Sequence, residues 1–217
     1  MLRHRLLYCQ ARQTLHANHM THRALLDLVR ERTGPRFPDF TALLKACRNP
    51  RHLADVLAKG VDPDSLCNDG SSLLHRSDLS LDAVQLLLAA GADPDVRWFD
   101  RSARTPLFFA ATEGVPTALY DAGAELEQRD IDGLTPLIFN VDQACLRMIE
   151  ELLTLGADWK ATDRQGLGFS DYASLAPSPA AEEQLLLIHY RLKASERRSA
   201  LLAQLPPLVV EQITRRM

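Results

Sequence analysis

Three histidines, His16, His19 and His22, stand three residues apart and would share one face of a helix, a spacing that suits metal coordination. No cysteine or carboxylate lies nearby at ligand spacing, so no metal site is read here, and no cofactor. Cys9, Cys47, Cys67 and Cys145 lack the paired spacing of a zinc site or a disulfide framework and fit a reduced, cytoplasmic protein. A nucleophile elbow, a phosphate loop, a dinucleotide fingerprint and a zincin pair are all missing. No catalytic residue is therefore assigned, and the chain is read as a protein that is not an enzyme. The side chains that remain suit recognition. The run DVRWFDRSAR sets Trp98 and Phe99 among Arg97, Asp100 and Arg101, residue types enriched where proteins bind one another. Acids recur along the chain: Asp62, Asp64, Asp69, Asp93, Asp95, Glu125, Glu127, Asp130, Asp132, Asp158 and Asp163.

These residues fall at repeating places. GVDPD, GADPD, GAELE and GADWK begin at Gly60, Gly91, Gly123 and Gly156, spaced 31, 32 and 33 residues apart. A period near 33 marks stacked repeat units. Twelve residues after each Gly, or fourteen after Gly91, comes a helix start: SSLLHR at Ser72, TPLFFA at Thr105, TPLIFN at Thr135 and a degenerate GFSDYA at Gly168. TALLKA at Thr41 opens the series. A hydroxyl at the N-cap accepts an orphan backbone N–H, and Pro fits the first helical position. Within these segments Leu43, Leu53, Leu74, Val84, Leu87, Leu88, Leu107, Pro116, Leu119, Tyr120, Leu137, Ile149 and Leu152 have the spacing of a shared core.

The T-P-L-x-x-A and L-L-x-x-G-A-D motifs, with this period, resemble the ankyrin-repeat family over roughly Asp39 to Ala173. The resemblance implies an all-α solenoid of antiparallel helix pairs with short β-hairpin fingers, helical caps at both ends and a concave face that binds proteins. The expected organisation is a basic N-terminal segment with a capping helix at 1–36 and repeats at 37–176. The units run about 37–67, 68–100, 101–130, 131–163 and a partial 164–176, before a C-terminal helical cap at 177–217. From start to Gly, the complete units measure 19, 19, 18 and 21 residues, so the first three should have clipped helices or a tightened turn. Asn140 and Ser77 replace the motif alanine, which predicts irregular stacking around the second and fourth units. His75 alone keeps the motif histidine and should tie neighbouring helix starts together.

Charge is uneven. Residues 1–36 carry +5 and residues 191–217 carry +4, leaving −12 on residues 37–190 of a chain whose net charge is −3. An acidic finger surface would steer a basic partner and repel nucleic acid. Acidic loops also keep a solenoid soluble, and both readings stand. No apolar run approaches the ~20 residues of a membrane span. The expectation is a monomeric protein-protein interaction module. In its most concrete form it is an inhibitor or immunity-type protein against a basic toxin or nuclease, with Asp64, Asp93, Asp95, Arg97, Trp98, Phe99, Asp100, Glu127, Asp130 and Asp132 as partner contacts. In the alternative the inserted finger folds back, and Trp98 packs on the third repeat. The C-terminal segment reads as one long helix, AAEEQLLLIHYRLKAS, then a shorter one, ERRSALLAQL. These helices form a cap or, in a substrate-recruiting adaptor of ubiquitin-ligase type, Leu205–Ile213 recruits a second protein.

Overall fold

The computed structural model describes residues 37–67, 69–98 and 102–204. The N-terminal capping helix, His16, His19, His22, Cys9 and the Leu205–Ile213 segment lie outside the described residues.

Helices make up the described structure, with no strand among the described residues. They are α1 (Phe37–Ala46), α2 (Pro50–Ala58), a 3₁₀ turn η1 (Leu73–His75), α3 (Leu81–Ala89), a second 3₁₀ turn η2 (Pro106–Phe108), α4 (Val115–Asp121), α5 (Pro136–Asp142), α6 (Leu146–Leu155), α7 (Phe169–Ala173) and α8 (Pro179–Ala203). Local chemistry sets their starts. Asn49 Oδ1 accepts from Arg51 N ahead of α2, Ser80 Oγ from Ala83 N ahead of α3, and Thr135 Oγ1 from Ile138 N ahead of α5. Proline occupies the first turn of α2, η2, α4 and α5.

Contacts follow chain order in two rows. Along one, α1 packs on η1, η1 on η2, η2 on α5 and α5 on α7. Along the other, α2 packs on α3, α3 on α4 and α4 on α6. One core runs through both rows and includes Leu43, Leu53, Leu74, Val84, Leu87, Leu107, Leu119, Leu137, Ile149 and Leu152. Tyr120 is no part of it: its side chain is 43% exposed at the end of α4, which has only seven residues to seat its apolar face.

Four local expectations are corrected. Thr41 is not an N-cap, because α1 begins at Phe37 and carries Thr41 inside it, with Phe40 buried against the core. The first unit keeps a ten-residue first helix, and the shortening falls on η1 and η2, each a single turn. Among the described residues the fingers form no β-hairpin ladders. Among the described residues only isolated antiparallel bridges pair Leu66 with Ser72 and Thr162 with Gly168, because nearby carboxylates take the N–H groups that a ladder would use. At the C-terminus, α8 is one continuous helix of 25 residues. The stretch from Ala180 to Gln204 holds no Pro or Gly to break it.

His75 does bridge units. Its Nδ1 accepts from Ser72 N at 3.1 Å, and its Nε2 donates to Arg104 O at 3.2 Å in the next finger. Asn140 fills its small-residue site by hydrogen bonding rather than by disturbing it, donating to Pro136 O at 2.8 Å and to Phe108 O of the preceding unit at 3.3 Å.

Candidate protein-binding face

Each finger starts at a repeat glycine, and side chains four and six places on link several neighbouring fingers. At the fourth place, Asp64 accepts from Asp93 N at 3.0 Å, Asp95 from Glu125 N at 3.2 Å and Glu127 from Asp158 N at 2.8 Å. At the sixth place, Arg97 donates to Arg129 O at 3.3 Å, and Arg129 in turn donates to Thr162 O. Two ladders, one carboxylate and one guanidinium, therefore set the spacing of neighbouring fingers. Arg97 also donates to Ala103 O and Gln128 Oε1. Burial raises the pKa of Asp95, against the lowering effect of the Glu125 N–H.

Within a finger, one hydrogen bond closes the loop: Cys67 N to Ser71 O, Trp98 N to Arg104 O, Asp130 N to Leu134 O, and Asp163 N to Leu167 O. Trp98 thus occupies the place held by Asp130 and Asp163 in the later fingers, with two extra residues in the loop that follows. Those aspartates fold their own loops. Asp130 Oδ1 accepts from Asp132 N and Leu134 N, each at 2.9 Å, and Asp163 Oδ1 from Gln165 N and Leu167 N at 2.8 and 2.9 Å. Gly133 has to be glycine here: its φ is +88°, and a Cβ would meet Arg164 N at 2.8 Å.

Aromatic rings anchor the fingers to the first-helix row. Trp98 meets Phe109 edge-on at 5.4 Å and His75 at 5.7 Å, while its Nε1 donates to Asp69 O at 3.0 Å. Arg104 pairs with Asp130 at 3.0 Å and lies 4.3 Å from the centre of the Phe139 ring. Tyr172 donates its hydroxyl to Asp163 at 2.8 Å. Burial, then that carboxylate, pushes the Tyr172 phenol up to about 12. Burial alone would raise Asp163, yet the Tyr172 hydroxyl and the loop N–H groups hold it below the usual carboxylate range. Phe108, Leu134, Ile138 and Ala161 form a second apolar cluster beneath, with Phe109, Phe139 and Tyr172 packed on it.

The residues singled out from sequence separate into distinct settings. Asp64, Asp93 and Asp95 are half-buried and tied into backbone hydrogen bonds, Asp93 through Asp95 N at 3.0 Å. Asp130 is no fingertip group, being 4% exposed with its carboxylate turned inward to Arg104. Glu127 and Asp132 are exposed. Arg97 and Trp98 are half-buried, the latter between His75 of the second unit and Phe109 of the third. Phe99 and Asp100 lie outside the described residues. Sequence reasoning missed Arg104, Phe109, Phe139 and Tyr172, which share the fourth place after a helix start or the residue just before one. It also missed Ile131, 42% exposed at a fingertip, whose N–H reaches Ser102 O at 3.0 Å. Among the described residues no cluster of three or more His, Cys, Asp or Glu side chains could hold a metal. Among them, too, no helix is long and apolar enough to cross a membrane.

No family model matches the chain. It is 35% identical over 123 residues to neurogenic locus notch homolog protein 1 of Xenopus laevis, covering 54% of this chain and 5% of that one. It is 34% identical over 113 residues to the neurogenic locus Notch protein of Drosophila melanogaster, covering 49% and 4%. Human B-cell lymphoma 3 protein is 39% identical over 87 residues, covering 37% and 19%. The chain therefore spans about a twentieth of the Notch proteins and a fifth of the third relative. All three contain ankyrin repeats, and the likeness points to a distant relationship with that family.

Proposed function

We propose that this chain is a non-catalytic protein-binding module, an ankyrin-type solenoid whose finger side receives the partner. The observation that carries the reading is the side-by-side placement of Arg97, Trp98 and the exposed Ile131 on two fingers locked together by hydrogen bonds. A rigid surface bearing aromatic, arginine and apolar side chains loses little entropy on binding and has the composition of an interface centre. The distant ankyrin-containing relatives support a protein partner.

In its finer form the module is a cytoplasmic, monomeric inhibitor or immunity-type protein that blocks a basic enzyme such as a toxin or nuclease. The charge of −12 on residues 37–190 supports this. The ladder carboxylates lie on this side of the chain, where an acidic surface attracts a basic one. A second reading, a substrate-recruiting adaptor, draws on the exposed outer face of α8. A photo-crosslinking residue at Ile131, with a control at Glu150 on α6, tests the face in the native host. One defined protein captured at Ile131 and not at Glu150 is expected, with capture weakened by Asp132→Lys and Asp158→Lys. Equal capture at both positions, or capture of nucleic acid, would overturn the reading.

A further inference from the structure

Helix α8 has two opposite stripes with the same 4-3-4 spacing. Ala181, Leu185, Ile188 and Leu192 face inward, and the helix packs on α7. Leu185 is fully buried, and His189 stacks on Phe169 at 5.6 Å. Two residues out of phase, about 200° around the helix, run Glu183, Leu187, Tyr190, Ala194 and Arg197, all exposed. Leu187 is 47% and Tyr190 70% exposed, and every residue from 193 to 200 is exposed. A 4-3 spacing with apolar residues at its centre is the seam of a two-helix contact. Along its second half the seam is edged by Arg191 and Lys193, while Glu196 is engaged by Lys160 of the fourth finger.

The charges decide what can cover this seam. A second copy laid antiparallel about Tyr190 and Ala194 would set Arg191 against Arg191 and Lys193 against Lys193. A parallel copy would oppose every base with a base. The chain's own ends are also basic, +5 on residues 1–36 and, with Arg215 and Arg216 against Glu211, +1 on residues 205–217. A membrane-embedded helix needs a broad apolar arc, whereas the large apolar side chains exposed here are Leu186, Leu187 and Tyr190, with Glu183, Arg191 and Lys193 around them. We infer that the outer face of α8 is a second docking site, and that it takes an acidic amphipathic helix of another protein.

The test uses the full chain and a labelled synthetic helix of about three heptads with Leu on its seam and Glu on both flanks. A second peptide with Lys on the flanks, and phosphatidylserine vesicles, serve as competing probes, all at physiological ionic strength. The Glu peptide should bind and the Lys peptide should not. Leu187→Glu and Tyr190→Glu should each weaken binding by about tenfold or more, with helix content by circular dichroism unchanged because both side chains are exposed. Arg191→Glu combined with Lys193→Glu should reverse the preference toward the Lys peptide. Equal binding of both peptides, no binding, uptake by vesicles, or a concentration-dependent dimer abolished by Tyr190→Glu would each overturn the inference.

Discussion

Removing the carboxylate of Asp130 should unfold the protein more easily than removing any other finger acid. The side chain is fully shielded and receives three donors: Leu134 N and Asp132 N at 2.9 Å each, and Arg104 Nε at 3.0 Å. Asp130→Ala leaves the buried Leu134 N–H without an acceptor, which costs about 1–3 kcal/mol. It also strands the Arg104 charge, and breaking a buried ion pair costs roughly 3–5 kcal/mol. Arg104 is 23% exposed and keeps the Phe139 ring beneath it, so the second figure falls at its lower end. Together these give a loss of about 4–6 kcal/mol. Asp130→Asn keeps an oxygen for the two loop N–H groups but still strands Arg104, so it should cost about 3 kcal/mol, less than alanine. With a urea dependence of roughly 1–3 kcal/mol per molar, the alanine variant should move the unfolding midpoint by more than ~1 M. A double-mutant cycle with Arg104→Met isolates the pair. A loss below ~1 kcal/mol for Asp130→Ala, or no coupling to Arg104, would refute the account and return Asp130 to the fingertip.

Trp98→Ala removes both the Asp69 hydrogen bond and the Phe109 contact of a half-buried ring, so about 2–4 kcal/mol should be lost, while Trp98→Phe should cost less than half of that; unchanged melting of the alanine variant would show that the ring does not hold its finger. Ala144 sits at φ +51° between α5 and α6, a conformation costing a non-glycine residue ~1–2 kcal/mol. Ala144→Gly should therefore raise stability by up to ~1 kcal/mol after the added chain freedom, and a fall in melting temperature would contradict this. The folded state raises the Tyr172 pKa to about 12, from ~10 in the unfolded chain. Its contribution is thus complete below ~10 and is lost as pH rises through about 12. Spectrophotometric titration should show one late tyrosine that disappears in Tyr172→Phe, and a late step surviving in that variant would discard the Asp163 contact.

The period of the glycines and the hydroxyl-proline starts were sufficient to place most helices, because caps and apolar spacing act locally. Their limit shows at Thr41, where Phe37 and Pro38 begin the helix earlier than the motif suggests. The finger chemistry was harder to see, since Asp130 and Asp132 differ by two residues in a turn, yet one is buried on Arg104 and the other is exposed. Which carboxylate faces inward depends on the loop closure from Asp130 N to Leu134 O, and no composition or charge count carries that information. A signal did exist. Asp64, Asp95 and Glu127, and separately Arg97 and Arg129, recur at the repeat period, so hydrogen-bonding groups spaced by one unit were available to be paired across units.

The carboxylate ladder also explains where the row of fingers stops. The fourth place after the last repeat glycine holds Lys160, which has no acceptor to offer and instead pairs with Glu196 on α8. A further finger grafted after this one would meet an ammonium group where each earlier finger found a carboxylate, and its own first N–H would go unanswered. The array therefore carries a chemical full stop: one substitution of sign, at a position that otherwise templates growth, closes the series and hands the chain to a helix of a different kind.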